Sequence, residues 1–144
     1  MRRRLTGERG SALLETAITL PLVLLVSVSI FEFGRAYQVF QIMTNAAREG
    51  ARIAVLPGTT DSDVKQRVVD YLTAGQIASP SPSWVGIDHS QTVSDGTGAA
   101  PATLVTVNYP FNFLVLNPVA QLVVSKTTLG AAFTMTTSAL MRNE

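Results

Sequence analysis

The chain of 144 residues contains no cysteine, one histidine, one tryptophan and few charged side chains, which make up 15% of the sequence. Without cysteine, neither a disulfide framework nor a thiolate metal site can form. A single histidine excludes the histidine clusters that bind zinc, and the sequence contains no phosphate-binding loop. We therefore expect no metal site and no cofactor.

The one histidine, His89, lies between Asp88 and Ser90, which together have the composition of a hydrolytic triad. Members of a triad meet in space, so neighbours along the sequence do not predict one. No pair of acidic residues resembles the motif of an aspartyl peptidase either. We interpret His89 as a surface or strand residue and predict a protein that is not an enzyme and has no small-molecule substrate.

The net charge of +1 comes from the first ten residues, which hold four of the eleven basic side chains. Without residues 1–10 the chain keeps seven basic and nine acidic residues, a net charge of −2. Proteins that bind nucleic acid carry a basic patch on the folded domain. We therefore expect no nucleic-acid partner.

What the sequence does have is an apolar run of 21 residues from Ser11 to Phe31, in which Glu15 is the only charged residue. As a helix this run spans about 30 Å, the hydrocarbon thickness of a bilayer. Four arginines precede the run, and the first basic residue after it is Arg35. The positive-inside rule predicts a single-pass protein with a cytoplasmic N-terminus and an exported C-terminal domain.

Glu15 lies in this run, five residues after Gly10. A carboxylate at the centre of a membrane helix costs roughly 2.5–3.5 kcal/mol, so such a residue is a functional candidate. The simpler alternative is an acid in the first helical turn that complements the helix dipole and reaches the membrane interface. Pro21 lacks the N–H that a helix requires, and we expect it to kink the membrane segment.

An ordinary secretory signal peptide also has a basic start and an apolar core, and Ser27-Val28-Ser29 offers a site for its removal. The run is long for such a core, and Glu15 is unfavourable inside one. If cleavage followed Ser29, the protein would be a secreted or membrane-anchored small binding module. This alternative function stays open.

The order of basic leader, Gly10, Glu15 and apolar helix resembles the processing site of type IV prepilins and pseudopilins. The resemblance implies a bacterial inner-membrane protein that a prepilin peptidase cuts between Gly10 and Ser11 on the cytoplasmic side. Cleavage creates an ammonium group on Ser11. The Glu15 carboxylate can pair with that ammonium in a neighbouring subunit, and each charge then lowers the burial cost of the other. Glu15 is thus the expected subunit-docking residue.

Residues 9–55 resemble the TadE-like proteins of the tight-adherence, or Flp, pilus system. The shared features are Gly10, Glu15, Pro21, the Glu32-Phe33-Gly34 exit and the run from Asn45 to Arg52. The resemblance implies a pseudopilin or minor pilin that assists pilus assembly or secretion. Its expected partners are the prepilin peptidase, the assembly and secretion machinery, the membrane, and other pilins that the apolar helix contacts.

The helical period continues beyond the membrane run, which predicts one helix to about Val55 and a stop at Leu56-Pro57-Gly58. The predicted apolar face comprises Phe33, Tyr37, Phe40, Met43 or Thr44, Ala47, Ala51 and Ala54. Gly34 and Gly50 each cost roughly 1 kcal/mol in a helix, so we expect a close backbone approach at both. We expect the small residues around Gly50 to pack on the protein's own sheet, and Arg48, Glu49 and Arg52 to form a solvated, locally paired face.

A second helix is predicted from Asp63 to Thr73, with Asp61 or Ser62 as the N-cap and Gly75 at its end. Its predicted buried stripe comprises Val64, Val68, Tyr71 and Leu72. Two-residue alternation predicts three strands, over Trp84–Val93, over Val105–Phe113 and through Leu129, Ala131, Phe133 and Met135. Because Pro110 has no N–H, it places the middle strand at an edge or a bulge.

These patterns together predict an α+β, pilin-like fold. A long N-terminal transmembrane helix continues into an exported domain that contains a second short helix and a small antiparallel sheet. The expected divisions are a basic leader over residues 1–10, a transmembrane and assembly helix over 11–33, and an exported domain over 34–144.

Overall fold

The computed structural model describes residues 8–94, 96, 98–123, 128 and 130–143. Its elements in chain order are α1 (Glu8–Ala54), α2 (Asp61–Ala74), a 3₁₀ turn (Pro82–Trp84), β1 (Val85–Ser94), β2 (Ala99–Phe111), α3 (Leu116–Val123) and β3 (Phe133–Arg142). The predicted α+β class is confirmed. Residues 1–7 of the predicted leader and Leu129 of the third predicted strand lie outside the described residues.

The chain divides into two compact units, and α1 contributes to both. The first unit comprises residues 1–35 and 112–132, and the second comprises residues 36–111 and 133–144. The first unit therefore holds the apolar half of α1 together with α3. The second unit holds the remainder of α1, α2 and the sheet.

The sheet of the second unit is antiparallel in the order β1-β2-β3. β2 is the central strand, and its pairing with β3 runs from Ala102 opposite Arg142 to Phe111 opposite Phe133. β1 begins at Val85, which lies opposite Val107, so Pro110 lies beyond the part of β2 that β1 pairs. The predicted edge at Pro110 is therefore present locally, although β2 as a whole is central.

The apolar core of the second unit consists of side chains from α1, α2 and β2 that are at most 1% exposed: Met43, Ala46, Ala47, Ala51, Val64, Val68, Leu72, Ala102, Val105, Val107 and Phe111. Gly50 lies at the centre of this packing. A Cβ atom added to Gly50 would lie 2.6 Å from Cγ2 of Val68 and 3.2 Å from Cγ1 of Val105. The predicted close approach at Gly50 is confirmed, and so is the packing of α1 on its own sheet.

The aromatic part of the predicted α1 face is wrong. Tyr37 and Phe40 are 66% and 42% exposed, whereas Ala36 and Val39 are buried in their place. Ala36 and Val39 lie at three- and four-residue steps from Met43, Ala46 and Gly50, so they share the inward face of α1 with them. The prediction of a close approach at Gly34 is also wrong, because a Cβ atom added there would meet no described atom within 4 Å.

The second helix begins two residues earlier than predicted, because its N-cap is Thr60 and not Asp61 or Ser62. The Asp63 N–H donates to Thr60 Oγ1 at 3.3 Å, and the Thr60 N–H donates to Asp63 Oδ2 at 3.0 Å. This reciprocal pair is a capping box, which satisfies two free donors of the first turn. Of the predicted buried stripe, Val64, Val68 and Leu72 are at most 1% exposed, whereas Tyr71 is 37% exposed.

The third helix, α3, was not predicted from the sequence. Leu116 and Ala120 lie one turn apart on its inner face and are 2% and 3% exposed. Pro118 falls within the first turn, where a missing N–H costs no helical hydrogen bond. The sequence signal for this helix was the Asn117-Pro118 pair, which precedes an apolar stretch.

Candidate functional site

The apolar half of α1 is an unpartnered surface. Every residue from Ser11 to Leu24 is exposed, and Leu13, Ile18 and Ile30 are each about 70% exposed. The helix is long and apolar enough to cross a membrane, and none of its most apolar stretch is buried in the protein. A soluble monomer rarely exposes so much contiguous apolar surface. This part of α1 therefore has the character of a single membrane-spanning helix.

Hydroxyl groups along the same half of α1 are hydrogen-bonded within the helix. Thr16 donates to the Ala12 carbonyl at 2.8 Å and Thr19 to the Glu15 carbonyl at 2.8 Å. Ser27 and Ser29 donate in the same way to the carbonyls of Val23 and Leu25. A hydroxyl bonded to the preceding turn needs no water, so these residues are compatible with hydrocarbon.

Gly10 and Ser11, the predicted processing site, lie near the start of α1 and are exposed. A Cβ atom added to Gly10 would meet no described atom within 4 Å. The packing of the described residues therefore does not require glycine at position 10.

Glu15 is exposed, and its carboxylate has no hydrogen-bond or ion-pair partner among the residues that the structure describes. Ser11 lies four residues earlier, on the same helical face. The structure thus places the three residues Gly10, Ser11 and Glu15 on one exposed stretch of helix. α1 continues through Pro21, where the Ala17 carbonyl loses its usual backbone donor, and a kink at Pro21 stays a prediction.

Glu32 forms a buried polar cluster that the sequence did not predict. Its Oε1 accepts the backbone N–H groups of Leu114 at 3.0 Å and Val115 at 2.9 Å. Its Oε2 accepts Nη2 of Arg35 at 3.0 Å, and Arg35 also donates to the Asn112 carbonyl. The side chain of Glu32 is 6% exposed. The Glu32 cluster, defined by these contacts, fastens the segment before α3 to the end of the apolar half of α1.

Residues 10–52 match the family model described as TadE-like protein. This segment of the chain is TadE-like. The predicted resemblance is thereby confirmed over these residues, and the family is associated with the Tad pilus as a structural or assembly component. No curated protein and no solved structure matches the chain.

Near its C-terminal end the TadE-like segment carries Glu49, which binds two arginines. Arg52 Nε donates to Glu49 Oε2 and Arg67 Nη2 to Glu49 Oε1, each at 2.9 Å. Hydrogen bonds from Arg52 and then Arg67 lower the pKa of Glu49 from 4.5 to about 2. Local pairing with Arg52 is confirmed, but the bond from α2 to the TadE-like segment was missed because it depends on the fold.

His89 lies outside the TadE-like segment, on β1, and does not form a triad with its sequence neighbours. Ser90 donates both its N–H and its hydroxyl to Asp88 Oδ1, at 2.9 and 2.6 Å. His89 instead lies 2.9 Å from Asp61 Oδ1 through Nε2 and 3.0 Å from Thr103 Oγ1 through Nδ1. Thr103 is fully buried, so its hydroxyl cannot reach a substrate. The contacts of His89 therefore link α2, β1 and β2.

The second unit has a pocket of about 360 Å³ lined by Ile42, Asn45, Tyr71, Ala74 and Gly75. One amide and one phenol are its only polar side chains, and it contains no charged one. In the described part of the chain, no group of three or more His, Asp or Glu residues is placed to hold a metal ion. This pocket offers little of the convergent polar chemistry that fixes a small ligand.

Proposed function

We propose that the protein is a membrane-anchored pseudopilin or minor pilin that assists the assembly or secretion of a tight-adherence, Flp-type pilus. The observation that carries the proposal is the exposed apolar stretch of α1 over residues 11–24, whose one carboxylate, Glu15, has no partner among the described residues and lies within the TadE-like segment. A helix of this kind has to be covered by lipid or by other helices. The protein acts by binding, without catalysis.

The proposed anchor comprises residues 11–33 and spans the bacterial inner membrane once. The arginines of the leader, residues 1–10, hold the N-terminus in the cytoplasm, and residues 34–144 form the exported domain. The intrahelical hydrogen bonds of Thr16, Thr19, Ser27 and Ser29 support this assignment, because they remove the polar cost of placing hydroxyls in hydrocarbon.

Maturation is proposed to occur by prepilin peptidase cleavage between Gly10 and Ser11. The exposed position of both residues and the lack of a packing reason for glycine support this site. The new Ser11 ammonium then pairs with the Glu15 carboxylate of a neighbouring subunit. That pairing gives the unpartnered carboxylate a partner in the assembled state, where burial without one would be costly.

The test is mass spectrometry of the mature N-terminus in cells that contain the pilus peptidase. Processing after Gly10 gives a protein that begins at Ser11. The variant Gly10→Ala should remain uncut yet still insert, because the apolar run and the arginines are unchanged. Gly34→Ala is the matched control, since it alters an exposed glycine of the same helix outside the cleavage site.

Three results would count against the proposal. An uncut N-terminus in the wild-type protein would remove the prepilin assignment. A terminus at Ile30 would favour the secreted binding module with an ordinary signal peptide. Loss of insertion in Gly10→Ala would show that processing and insertion are not separate roles.

A further inference from the structure

Beside the end of the apolar run, the first unit carries a group of apolar side chains that we call the apolar collar and define as Phe33, Phe113, Leu114 and Val115. Phe113 is half-buried, and the other three are exposed. Leu114 is 69% exposed, Phe33 60% and Val115 45%. The rings of Phe33 and Phe113 meet edge to face with centroids 5.8 Å apart. The proposed pilin function gives no role to Phe113, Leu114 or Val115.

The position of the collar along α1 is fixed by the Glu32 cluster. Both N–H groups that Glu32 Oε1 accepts belong to collar residues, Leu114 and Val115. Glu32 itself comes directly after Phe31, where the apolar run ends. If α1 spans the membrane, as the proposed function requires, the collar backbone is held at the level where the helix leaves the hydrocarbon.

The chemistry of the surrounding segment suits that level. Residues 112–125 contain no charged side chain. The one carboxylate of the region, Glu32, is compensated by Arg35 and two backbone N–H groups. α3 turns Leu116 and Ala120 inward, whereas Leu114 and Val115 of the collar stay exposed. The four collar side chains carry no polar atom, so they offer no directional bond to a protein partner.

We propose that the apolar collar is a second membrane contact, in which Leu114 and Val115 insert into the outer interface of the same bilayer that α1 crosses. The partner is a lipid surface, because the collar is aliphatic and aromatic, uncharged, and continuous with the lipid-facing helix through Phe33. Aromatic side chains favour this interfacial level, and an apolar surface laid into it is stabilised by the area it removes from water.

The test uses the full chain in vesicles of zwitterionic phospholipid, with one nitroxide label per molecule. The protein has no cysteine, so a single introduced cysteine labels one position. The variants are Leu114→Cys, Val115→Cys, Ile18→Cys as a membrane reference and Gln66→Cys as an aqueous reference on exposed α2. Accessibility to oxygen relative to a water-soluble nickel chelate reports the depth of each label.

We expect the ratio at Leu114 and Val115 to exceed that at Gln66 several-fold and to fall below that at Ile18. A further variant combines Glu32→Ala with Leu114→Cys. Its accessibility ratio should be lower than that of Leu114→Cys alone, because the collar loses its attachment to α1. The additional label at Val115 keeps the result interpretable if the label at Leu114 disturbs its own site.

Three outcomes overturn the inference. A Leu114 ratio equal to that of Gln66, with Ile18 still in lipid, removes the collar and leaves the membrane anchor intact. An aqueous ratio at Ile18 removes the anchor and the collar together. Spin–spin broadening at Leu114 that disappears on dilution with unlabelled protein identifies a second copy of the chain as the occupant.

Discussion

The two halves of α1 share one helical backbone but have opposite surroundings. In the first unit, residues 11–24 are all exposed, and half of them are large and apolar. In the second unit, Ala46, Ala47 and Ala51 are fully buried around Gly50. The large apolar side chains of the first stretch therefore face a surface outside this chain, whereas the small residues around Gly50 pack in its own core.

Three glutamates of α1 show the same contrast in their partners. Glu49 accepts hydrogen bonds from two arginines, and Glu32 accepts two backbone N–H groups and one arginine. Glu15 has no partner among the described residues. The first two carboxylates are satisfied inside the fold, so substitution should cost stability at Glu32 and Glu49 and function at Glu15.

The largest effect is expected at Gly50. In Gly50→Val the new side chain overlaps Val68, whose Cγ2 would lie 2.6 Å from the added Cβ, so the core has to shift. Overpacking of this kind typically costs about 1–3 kcal/mol. The measurement is denaturant unfolding of the full chain in detergent, followed by the fluorescence of Trp84, the only tryptophan, which lies in the second unit.

Gly34→Ala is the control for this substitution, because its Cβ would meet no described atom within 4 Å. Alanine is favoured over glycine in a helix by roughly 1 kcal/mol, so this variant should be as stable as the wild type or more so. Equal unfolding midpoints for Gly50→Val and the wild type would contradict the close packing of α1 against α2.

The next effect is expected at Glu32. In Glu32→Ala the N–H groups of Leu114 and Val115 lose their acceptor, and a hydrogen bond to a charged group typically contributes about 1.5–3 kcal/mol. The loss should be local. Hydrogen exchange measured by mass spectrometry should therefore become faster at those two amides, while Glu32→Gln, which keeps one acceptor oxygen, should show a smaller change. Unchanged exchange in Glu32→Ala would mean that the cluster does not hold the segment.

Glu49→Gln should cost less, about 1 kcal/mol at neutral pH, because its arginine partners are solvent-accessible. The pKa of Glu49 is lowered in the folded state from 4.5 to about 2, so the ionised form is the one that folding favours. Its contribution to stability is complete above about pH 4.5 and is lost as the pH falls toward 2. Unfolding midpoints from pH 7 to pH 2 should converge for Glu49→Gln and the wild type, and a constant difference would contradict this linkage.

The sequence predicted those parts of the fold that depend on local periodicity. Apolar spacing predicted the buried side chains of α2, which are Val64, Val68 and Leu72, and the strand around Val105. The stop at Leu56-Pro57-Gly58 predicted the end of α1. Apolar spacing placed Met43, Ala47 and Ala51 of α1 correctly in the core. It also assigned Tyr37 and Phe40 to the buried face, where Ala36 and Val39 lie instead.

The Glu32 cluster and α3 were missed for two different reasons. Glu32 meets Leu114 and Val115 across more than eighty residues, and no local pattern encodes that pairing. α3 was missed because its eight residues are too few for a clear helical period. Of the candidate site, the sequence singled out Gly10, Ser11, Glu15 and Pro21. The processing role of Gly10 and Ser11 comes from resemblance, whereas Glu15 and Pro21 were singled out on physical grounds, and all four roles remain proposals.

The smallest effect on stability, and the one that separates the two halves of α1 most sharply, is expected at Glu15. Glu15→Gln keeps the shape of the side chain and removes its charge. Because the carboxylate has no partner among the described residues, unfolding followed by Trp84 should not change, and membrane insertion should become slightly easier. Pilus assembly should nevertheless be lost or strongly reduced, since a neighbouring Ser11 ammonium would be buried without its counter-charge, at a cost of about 3–5 kcal/mol.

The measurement is complementation of pilus formation in a strain that lacks the protein, with protein level and N-terminal processing checked in each variant. Thr19→Val is the matched control, because it removes a hydroxyl one turn from Glu15 that already bonds within the helix at 2.8 Å. That control should assemble normally. Normal assembly by Glu15→Gln would reduce Glu15 to a partner of the helix dipole, since a dipole contact at the first turn contributes only about 0.3–1 kcal/mol. The exposed apolar half of α1 would then have to recognise its neighbours by packing alone.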